Sequence, residues 1–428
     1  MTDPLLGAAF RERASAGSCP ANHKRWPHAT PLSRRLSTGL ESSTRSDVTN
    51  LRAAQTRRPL LFPATLVLVA PRLGSGGVGD YADELMAEAR PLFANFREIR
   101  TGGPGEATLR DLIRDRLRLA QAVKESERKG PVVIHYELSA GSLSPFWLLT
   151  GSKGYPTTAT VHDPPFSIWW PFRSRLVAKS YVLHHGIHFP LRRLSAMLER
   201  RILRNTVLFA LTDTGSQALR RNFPSCKVLA ARHFVPSRPP LRPSFDRPLA
   251  VGLFGHAYKG KGFDRLRELR KDLPDEVEIR VAGRGTENLP PIQGVTILGA
   301  VEGPQEDAFF DSVRAMLLPY DKSSRHYGDI LAASGVATRA FAYRTPVIAL
   351  ESETLAEAAR EGGLLTASKS IDSLAGLAFK TITNRYALQE LERQIITLQN
   401  CRGVREALVP FVEEWARIVK PLSSYQER

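Results

Sequence analysis

Glycine-rich turns at predicted helix N-termini are the features of this sequence that could bind an anion. Gly74-Ser-Gly-Gly-Val-Gly79 follows the apolar run Leu66–Ala70, which predicts a buried strand, and it precedes a predicted helix. A helix N-terminus offers free backbone N–H groups and a positive dipole end to a phosphate. Gly77 and Gly79 are therefore candidate phosphate-binding residues. The G-x-G-x-x-G pattern also fits a dinucleotide site with Glu98 on the ribose, or a plain tight turn.

A second glycine-rich turn carries two lysines. In Gly252-Leu-Phe-Gly-His-Ala-Tyr-Lys-Gly-Lys-Gly262, Lys259 and Lys261 stand between a predicted strand and a predicted helix. Positive charge and a helix dipole would both meet a diphosphate there. The alternative is a pair of solvated lysines. Gly283, at another strand end, and Ser334-Gly335, at a helix start, extend the set of candidate phosphate-binding residues.

His162 is the candidate catalytic residue. It lies in Thr160-Val-His-Asp163, at the predicted carboxyl end of a strand, where open α/β sheets bind their ligands. His135 ends the preceding strand and is a weaker candidate. Another histidine group has the spacing His-His-x-x-His and comprises His184, His185 and His188. Without a nearby acid this spacing is a poor zinc site, and no Asp-x-Asp motif stands between the strands. We expect neither a metal nor another cofactor.

Apolar runs alternate with amphipathic stretches from Pro59 onward, which predicts an α/β fold of parallel sheets covered by helices. The proline-rich stretch 235–248 cannot be helical and divides the alternation into two units. We expect two Rossmann-like, doubly wound domains that face each other across a cleft. Their predicted bounds are 58–240 and 241–405, followed by a C-terminal helix and tail at 406–428.

The composition is that of a basic globular protein. The 428 residues are 42% hydrophobic and carry a net charge of +17. Such a charge attracts phosphorylated ligands, anionic lipid or nucleic acid. Residues 1–57 lack a periodic apolar pattern and predict a disordered basic extension, for which RNA binding is the disfavoured reading. Odd, widely spaced cysteines and the lack of a secretory signal or a membrane-spanning run predict a cytoplasmic location.

Several motifs together resemble those of the large retaining glycosyltransferase family that includes bacterial mannosyltransferases and glycogen synthases. The matching pieces occur in the family's order and cover about residues 60–420; they are Gly76–Tyr81, Thr160–Asp163, Leu211–Ser216, Phe254–Gly262, Val281–Gly283 and Ser334–Ala349. The architecture of this family is called GT-B. The resemblance implies a nucleotide-sugar cleft between the two domains and a C-terminal helix that returns toward the N-terminal domain.

The resemblance also implies a chemistry. A sugar would move from a nucleotide-diphosphate sugar to a glycan or lipid-linked acceptor, with retention of anomeric configuration, in cell-surface polysaccharide or glycolipid synthesis. His162 would contact the transferred sugar. Lys261, Lys259 and the helix N-termini at Gly79 and Ser334 would stabilise the leaving diphosphate without a metal.

Two departures from the family pattern concern donor binding. Leu331 and Arg339 occupy the positions of the family's Glu-x7-Glu pair, and a subgroup with Ser-Gly-Val at this place is similar to this chain. The family's arginine partner of the loop lysine is also missing, with His256 or Tyr258 near its position. Two alternatives stay open: a nucleotide-dependent oxidoreductase or epimerase, and a non-catalytic binding protein with the same fold.

The segment between the His162 motif and Leu211 predicts a surface for a membrane or an acceptor. From Pro165 to Arg204 there are eight Lys or Arg residues and one acid, Glu199. The candidate contacts are Trp169, Trp170, Arg173, Arg192 and Arg193. Aromatic side chains would enter the headgroup boundary and basic residues would meet anionic lipid, which predicts a peripheral protein at the inner face of the plasma membrane. The alternative is a core-packed helix with a solvated basic side.

Overall fold

The computed structural model describes residues 62–426, except 75, 259, 321–322, 325–327 and 369. The described residues belong to one compact unit, Leu60–Arg428. Two predictions fall outside them. These are the disordered extension at 1–57 and the donor-binding role of Lys259.

Two parallel six-stranded sheets form the core of this unit, in the orders β2-β1-β3-β4-β5-β6 and β14-β13-β10-β7-β8-β9. The first sheet comprises β1 (Phe62–Pro71), β2 (Phe93–Thr101), β3 (Val132–Leu138), β4 (Thr157–Val161), β5 (Val207–Ala210) and β6 (Val228–Ala230). The second comprises β7 (Ala250–Phe254), β8 (Glu278–Ala282), β9 (Val295–Ile297), β10 (Ala315–Leu318), β13 (Val347–Leu350) and β14 (Leu364–Ala367). A short antiparallel ribbon pairs β11 (Ser323–Ser324) with β12 (Gly328–Asp329).

Helices cover both faces of each sheet. Those around the first sheet are α1 (Gly77–Ala89), α2 (Leu109–Glu127), α3 (Leu143–Leu148), α4 (Arg175–Ala178), α5 (Tyr181–Leu203) and α6 (Asp213–Asn222). The later helices are α7 (Leu266–Asp272), α8 (Pro304–Asp311), α9 (Gly335–Ala342), α10 (Glu353–Glu361), α11 (Ile371–Ile382), α12 (Arg385–Cys401) and α13 (Val404–Gln426). This arrangement confirms the predicted α/β class with two doubly wound parallel sheets.

The alternation of β1 shows why both faces are covered. Leu66 and Leu68 enter one apolar cluster, whereas Val67 and Val69 enter the cluster on the opposite face. Successive side chains of a strand point to opposite faces, so a strand that is apolar at every position needs helices on both sides. The second sheet likewise has an apolar cluster on each face.

The final helix, α13, packs against the first sheet. Phe411 and Trp415 are fully buried, and the ring of Phe411 stacks on Phe209 of β5 at 4.0 Å between centroids. The indole Nε1 of Trp415 donates to Thr158 Oγ1 in β4 over 3.3 Å. The helix continues across Pro410. The last element of the chain therefore contributes to the core beside the first sheet.

Candidate active site

Loops at the carboxyl ends of the strands carry the residues that the sequence singles out. They are His162 after β4, Gly77 and Gly79 at the start of α1, Lys261 after β7, Gly283 after β8, and Ser334 and Gly335 at the start of α9. Parallel α/β sheets bind ligands at this edge, because the strand ends and helix N-termini converge there.

Hydrogen bonds join the carboxyl edges of the two sheets. The guanidinium of Arg284, after β8, donates to the carbonyl of Gly74, after β1. The N–H of Leu331 donates to the carbonyl of Pro164 over 2.7 Å. The loops of the second sheet therefore lie directly against the glycine turn and the His162 loop.

A buried carboxylate holds His162. Glu137 of β3 is fully buried, and its Oε2 lies 2.6 Å from Nε2 of His162. Its Oε1 lies 3.2 Å from Nε2 of His135, whose Nδ1 is 2.8 Å from Thr158 Oγ1. The Glu137 carboxylate thus bridges His162 and His135, and the Thr158 hydroxyl contacts the other nitrogen of His135.

The protonation of this group follows from its contacts. Burial raises the pKa of Glu137, but the hydrogen bonds to His135 and His162 outweigh burial and bring the pKa below its ordinary value. An ionised carboxylate only accepts hydrogen bonds, so Nε2 of His162 carries the proton and donates. Nδ1 of His162 has no hydrogen-bond partner among the described residues. In the neutral ring, Nδ1 is the acceptor, available to a hydroxyl of a ligand.

Aromatic rings pack around His162. Tyr81 of α1 meets the His162 ring edge-on at 5.0 Å and the His233 ring at 5.1 Å. Burial lowers the pKa of His233 to about 4, against the opposing effect of its 2.9 Å hydrogen bond to the Phe234 carbonyl. His233 is therefore neutral near pH 7. A Cβ at Gly335 would lie 3.9 Å from Nε2 of His233, which places this candidate residue beside the cluster.

Close packing accounts for two of the candidate glycines. A Cβ at Gly79 would lie 2.3 Å from the Arg72 carbonyl, and a Cβ at Gly283, where φ is +130°, would lie 2.1 Å from the Gly255 carbonyl. Side chains cannot fit at such distances. Gly77 differs, since a Cβ there would meet nothing within 4 Å. The start of α1 therefore has free space beside Gly77, whereas the backbone of Arg72 packs directly against Gly79.

Lys261 is half-buried between two tyrosines. Its Nζ lies 4.1 Å from the ring centroid of Tyr320 and 5.6 Å from that of Tyr258. Both distances are within the range of cation–π attraction, which holds the ammonium group without neutralising it. A charged ammonium at the carboxyl edge of the second sheet can bind a phosphate of a ligand.

Arg339 joins the two halves of the molecule. Its Nη1 lies 3.3 Å from Glu84 Oε1 of α1, and its Nε lies 3.0 Å from Glu306 Oε1 of α8. Glu84 also accepts from Arg238 at 2.7 Å. The position where the resembled family has its second glutamate is thus occupied by an arginine that pairs with glutamates from both sides.

Comparison of the sequence with protein-family models and with curated proteins finds no match. The structure is similar to solved glycosyltransferases. HepE of Anabaena, in complex with UDP and glucose, has a TM-score of 0.59 at 11% identity over 83% of this chain and 100% of HepE. An α,α-trehalose-phosphate synthase (UDP-forming) from Burkholderia vietnamiensis has a TM-score of 0.56 at 12% identity over 84% and 99%. WaaG, a glycosyltransferase involved in lipopolysaccharide biosynthesis, has 0.52 at 13% over 83% and 99%.

The chain has the GT-B fold. At these identities the likeness establishes the architecture, with two Rossmann-like sheets whose carboxyl edges meet. It confirms the fold that the motifs predict. The His162 loop follows a strand of the first sheet, and the Lys261 loop follows a strand of the second.

The predicted membrane surface needs a correction at Trp169. Its side chain is only 7% exposed and its Nε1 donates to the Asp163 carbonyl over 2.6 Å, so it is held inside the first sheet's loops. Trp170 and Arg173 are half-buried, whereas Arg192 and Arg193 are exposed on α5. The one acid of the segment, Glu199, is buried and binds Ser167.

Other apolar side chains of the same segment are exposed instead. They are Leu176 of α4 and Val182, Leu183, Phe189, Leu194 and Met197 of α5, each between 44% and 77% exposed. A second exposed apolar stripe on α2 comprises Leu109, Ile113 and Leu117. Among the described residues, no helix has the length and apolar character that a membrane span requires.

A metal site is not found in the described part of the chain, where no three His, Cys, Asp or Glu side chains are grouped to hold an ion. This includes the His-His-x-x-His group of α5. That the reaction needs no metal stays a prediction.

Sequence reasoning misses Glu137, Tyr81 and His233 as site residues. One signal for Glu137 is present, because His135 and Glu137 are two apart in an otherwise apolar strand and so share a face. A charged residue inside a buried strand needs a partner, and His162 provides it. Tyr81 ends the Gly76–Tyr81 motif, but the motif does not indicate its contact with His162. No local pattern marks His233, whose position depends on contacts across the fold.

Proposed function

We propose that this chain is a retaining glycosyltransferase that moves a sugar from a nucleotide-diphosphate sugar to a glycan or lipid-linked acceptor. The observation that carries the proposal is the His162–Glu137 pair at the carboxyl edge of the first sheet of a GT-B fold. The Nδ1 of His162, which has no hydrogen-bond partner among the described residues, can accept from a sugar hydroxyl. HepE binds UDP and glucose, which makes UDP-glucose the first donor to test.

On the donor side, the diphosphate leaves with growing negative charge. Lys261 supplies an ammonium group on the second sheet's edge, and the N-termini of α1 and α9 supply backbone N–H groups from both edges. Groups that are fixed before the reaction stabilise the charge without reorganisation. At the N-terminus of α9, the Ser334 hydroxyl already accepts from the Ala337 N–H over 3.3 Å, so that N–H group is not available to the diphosphate.

For the transfer itself we propose attack from the face that the diphosphate leaves. The C1–O bond to the diphosphate breaks, the acceptor oxygen forms its bond to C1 on the same face, and the departing phosphate oxygen takes the acceptor proton. This scheme needs no carboxylate nucleophile. Glu137 then serves His162 rather than the sugar carbon, because both of its oxygens are engaged by histidines.

The acceptor would approach from the first sheet's side, beside a surface suited to an anionic membrane. Exposed apolar side chains of α4 and α5 alternate with exposed arginines, and the segment's acid is buried. Each basic residue near an anionic surface contributes roughly 1 kcal/mol. We propose reversible binding at the inner leaflet, where a lipid-linked acceptor could reach the cleft.

Turnover with a panel of nucleotide sugars tests the proposal. Release of nucleoside diphosphate that depends on an acceptor supports a glycosyltransferase, and proton NMR of the product's anomeric signal decides between retention and inversion. Donor binding without transfer to any acceptor would favour the non-catalytic alternative. Reduction of a nicotinamide cofactor or epimerisation of the sugar would favour the oxidoreductase or epimerase alternative.

A further inference from the structure

Arg173 is a half-buried guanidinium that lies between β4 and α4. Its Nε is buried and has no hydrogen-bond partner among the residues that the structure describes. Within the described part of the chain, no carboxylate lies at ion-pair distance from it, and burial lowers its pKa. Removing an arginine from water without pairing it is costly, so a fold that keeps one in this state has a use for its charge.

The backbone leaves room for this guanidinium. Gly105, after β2, and Gly141, after β3, have left-handed φ values of +75° and +77°. A Cβ at Gly141 would lie 2.8 Å from Cδ and Nη1 of Arg173, and one at Gly105 would lie 3.4 Å from its Nε. Gly105 also donates to the Gly141 carbonyl over 3.1 Å, and Gly141 to the Ile168 carbonyl over 2.8 Å. Three loops of the first sheet thus meet around Arg173.

Two histidines of α5, His184 and His188, are linked to Arg173 through the ring of Trp170. The Arg173 guanidinium carbon is 5.6 Å from the Trp170 ring centroid, and the Trp170 ring is 5.2 Å from that of His184. The His184 and His188 rings are 4.9 Å apart. His188 is 1% exposed, and neither of its ring nitrogens has a hydrogen-bond partner in the described part of the chain. Buried polar atoms without partners are uncommon, and a bound water or ion is one way to satisfy them.

The positive charge of Arg173 favours an anion over a cation at this group. The pKa of His188 is lowered to about 4, first by burial and then by the charges of His184 and Arg173. The pKa of His184 is also lowered to about 4, by burial and the charge of Arg173. Neutral imidazoles donate one hydrogen bond each, and a guanidinium donates in a fork that matches phosphate oxygens.

We propose that Arg173, His184 and His188 bind a phosphate group of the acceptor. The inference rests on the proposed function and names the chemical class of its second substrate: a phosphate ester, free or lipid-linked. The three residues lie near the first sheet, at the same edge as His162. Trp169 donates its indole N–H to the carbonyl of Asp163, the residue that follows His162, so Arg173 and His162 belong to one ordered loop. Donor phosphates belong to the Lys261 side, so this site serves the other substrate.

Histidine NMR of the full-length protein tests the site directly. The probe is inorganic phosphate, added to protein labelled at histidine Cε1, with resonances assigned from His184→Gln and His188→Gln. We expect saturable shifts of His184 and His188. In Arg173→Gln the apparent Kd rises by about tenfold or more, as for the loss of a charged hydrogen bond. Arg175→Gln, with the same change of charge at an exposed neighbour, is the matched control and leaves the Kd within about twofold.

A second arm distinguishes the sources of phosphate. In this arm, phosphatidylcholine vesicles with and without phosphatidic acid replace inorganic phosphate. Shifts of the His184 and His188 resonances with phosphatidic acid alone indicate a lipid-linked acceptor. Shifts with free phosphate indicate a soluble acceptor. The absence of any shift in the wild-type protein in both arms overturns the proposal without reliance on a variant. Equal shifts in wild type and a folded Arg173→Gln variant also overturn it, as an adventitious ion only. Phosphate binding without sugar transfer would instead retain this site and reject the proposed function.

Discussion

Glu137 Oε2 lies 2.6 Å from His162 Nε2, in a strand neighbouring the one that His162 follows. The carboxylate fixes which nitrogen of His162 carries the proton and which one faces a ligand. Its second oxygen is tied to His135, so the pair has little freedom to rotate. The role proposed for His162 therefore depends on Glu137, which under the same proposal does not contact the sugar.

Glu137→Gln is expected to lower kcat while nucleoside diphosphate binding is retained. A glutamine amide can donate to His162 and so favour the other tautomer, in which Nδ1 no longer accepts. Loss of a hydrogen bond to a charged group corresponds to about tenfold to a hundredfold in rate. Steady-state kinetics and nucleotide titration measure the two quantities, with the exposed Glu276→Gln as control. Equal losses in nucleotide binding and turnover would contradict the positioning role.

His162→Ala is expected to remove turnover more completely than Glu137→Gln, because the sugar contact itself is lost. Binding of free nucleoside diphosphate should stay close to wild type, since that ligand lacks the transferred sugar. Calorimetric titration together with product release separates the two effects. A variant that binds nucleotide poorly but transfers normally per bound donor would place His162 on the nucleotide instead.

Lys261→Ala is expected to raise the barrier to transfer by about 2–4 kcal/mol, as for other lost donors to a developing negative charge. The matched control is Lys271→Ala, an exposed lysine near the end of α7. The measurement is kcat/KM for the donor identified in the panel. Unchanged kinetics in a folded Lys261→Ala protein would remove this lysine from the donor site.

Glu199 gives the protein a pH-dependent stability. Its pKa is raised to about 7 by burial, against opposing hydrogen bonds from Ser167 and Ile168. In the unfolded chain it ionises near 4.5, so its stability contribution is full below that pH and is lost as the pH rises through about 7. Relative to Glu199→Gln, we expect wild type to lose about 3 kcal/mol of unfolding free energy from about pH 5 to about pH 8. Urea unfolding measures this, and a pH-independent difference would mean that the folded carboxyl is ionised.

The exposed apolar side chains of α5 are expected to govern binding to anionic vesicles. Val182→Ser with Met197→Ser should weaken flotation with phosphatidylglycerol vesicles, and salt should weaken it for wild type as well. Tyr386→Ser, an exposed aromatic on α12, is the control. Wild-type protein that stays unbound at low salt would contradict membrane association and leave a soluble acceptor as the better proposal.

Local sequence patterns determined the α/β class and the position of the ligand edge. Apolar runs such as Leu66–Ala70 form strands because every side chain can be buried, and glycine turns mark the helix starts that follow. His162 could be placed at a strand end for the same reason. The start of helix α5 is not evident from the local pattern. The helix begins at Tyr181, where the Ser180 hydroxyl accepts from the Leu183 N–H, and it continues across Pro190.

Contacts between distant parts of the chain decided the rest. Glu137 meets His162 across 25 positions of sequence, and Trp415 meets Thr158 across 257. Trp169 is buried because a backbone carbonyl of its own loop accepts its indole N–H, which composition could not indicate. Periodicity records which face of an element is apolar, whereas side-chain partners depend on how the elements are stacked. That stacking is a property of the folded chain as a whole. It brings the buried carboxylate of Glu137 to His162, and among the described residues it places no carboxylate at ion-pair distance from Arg173.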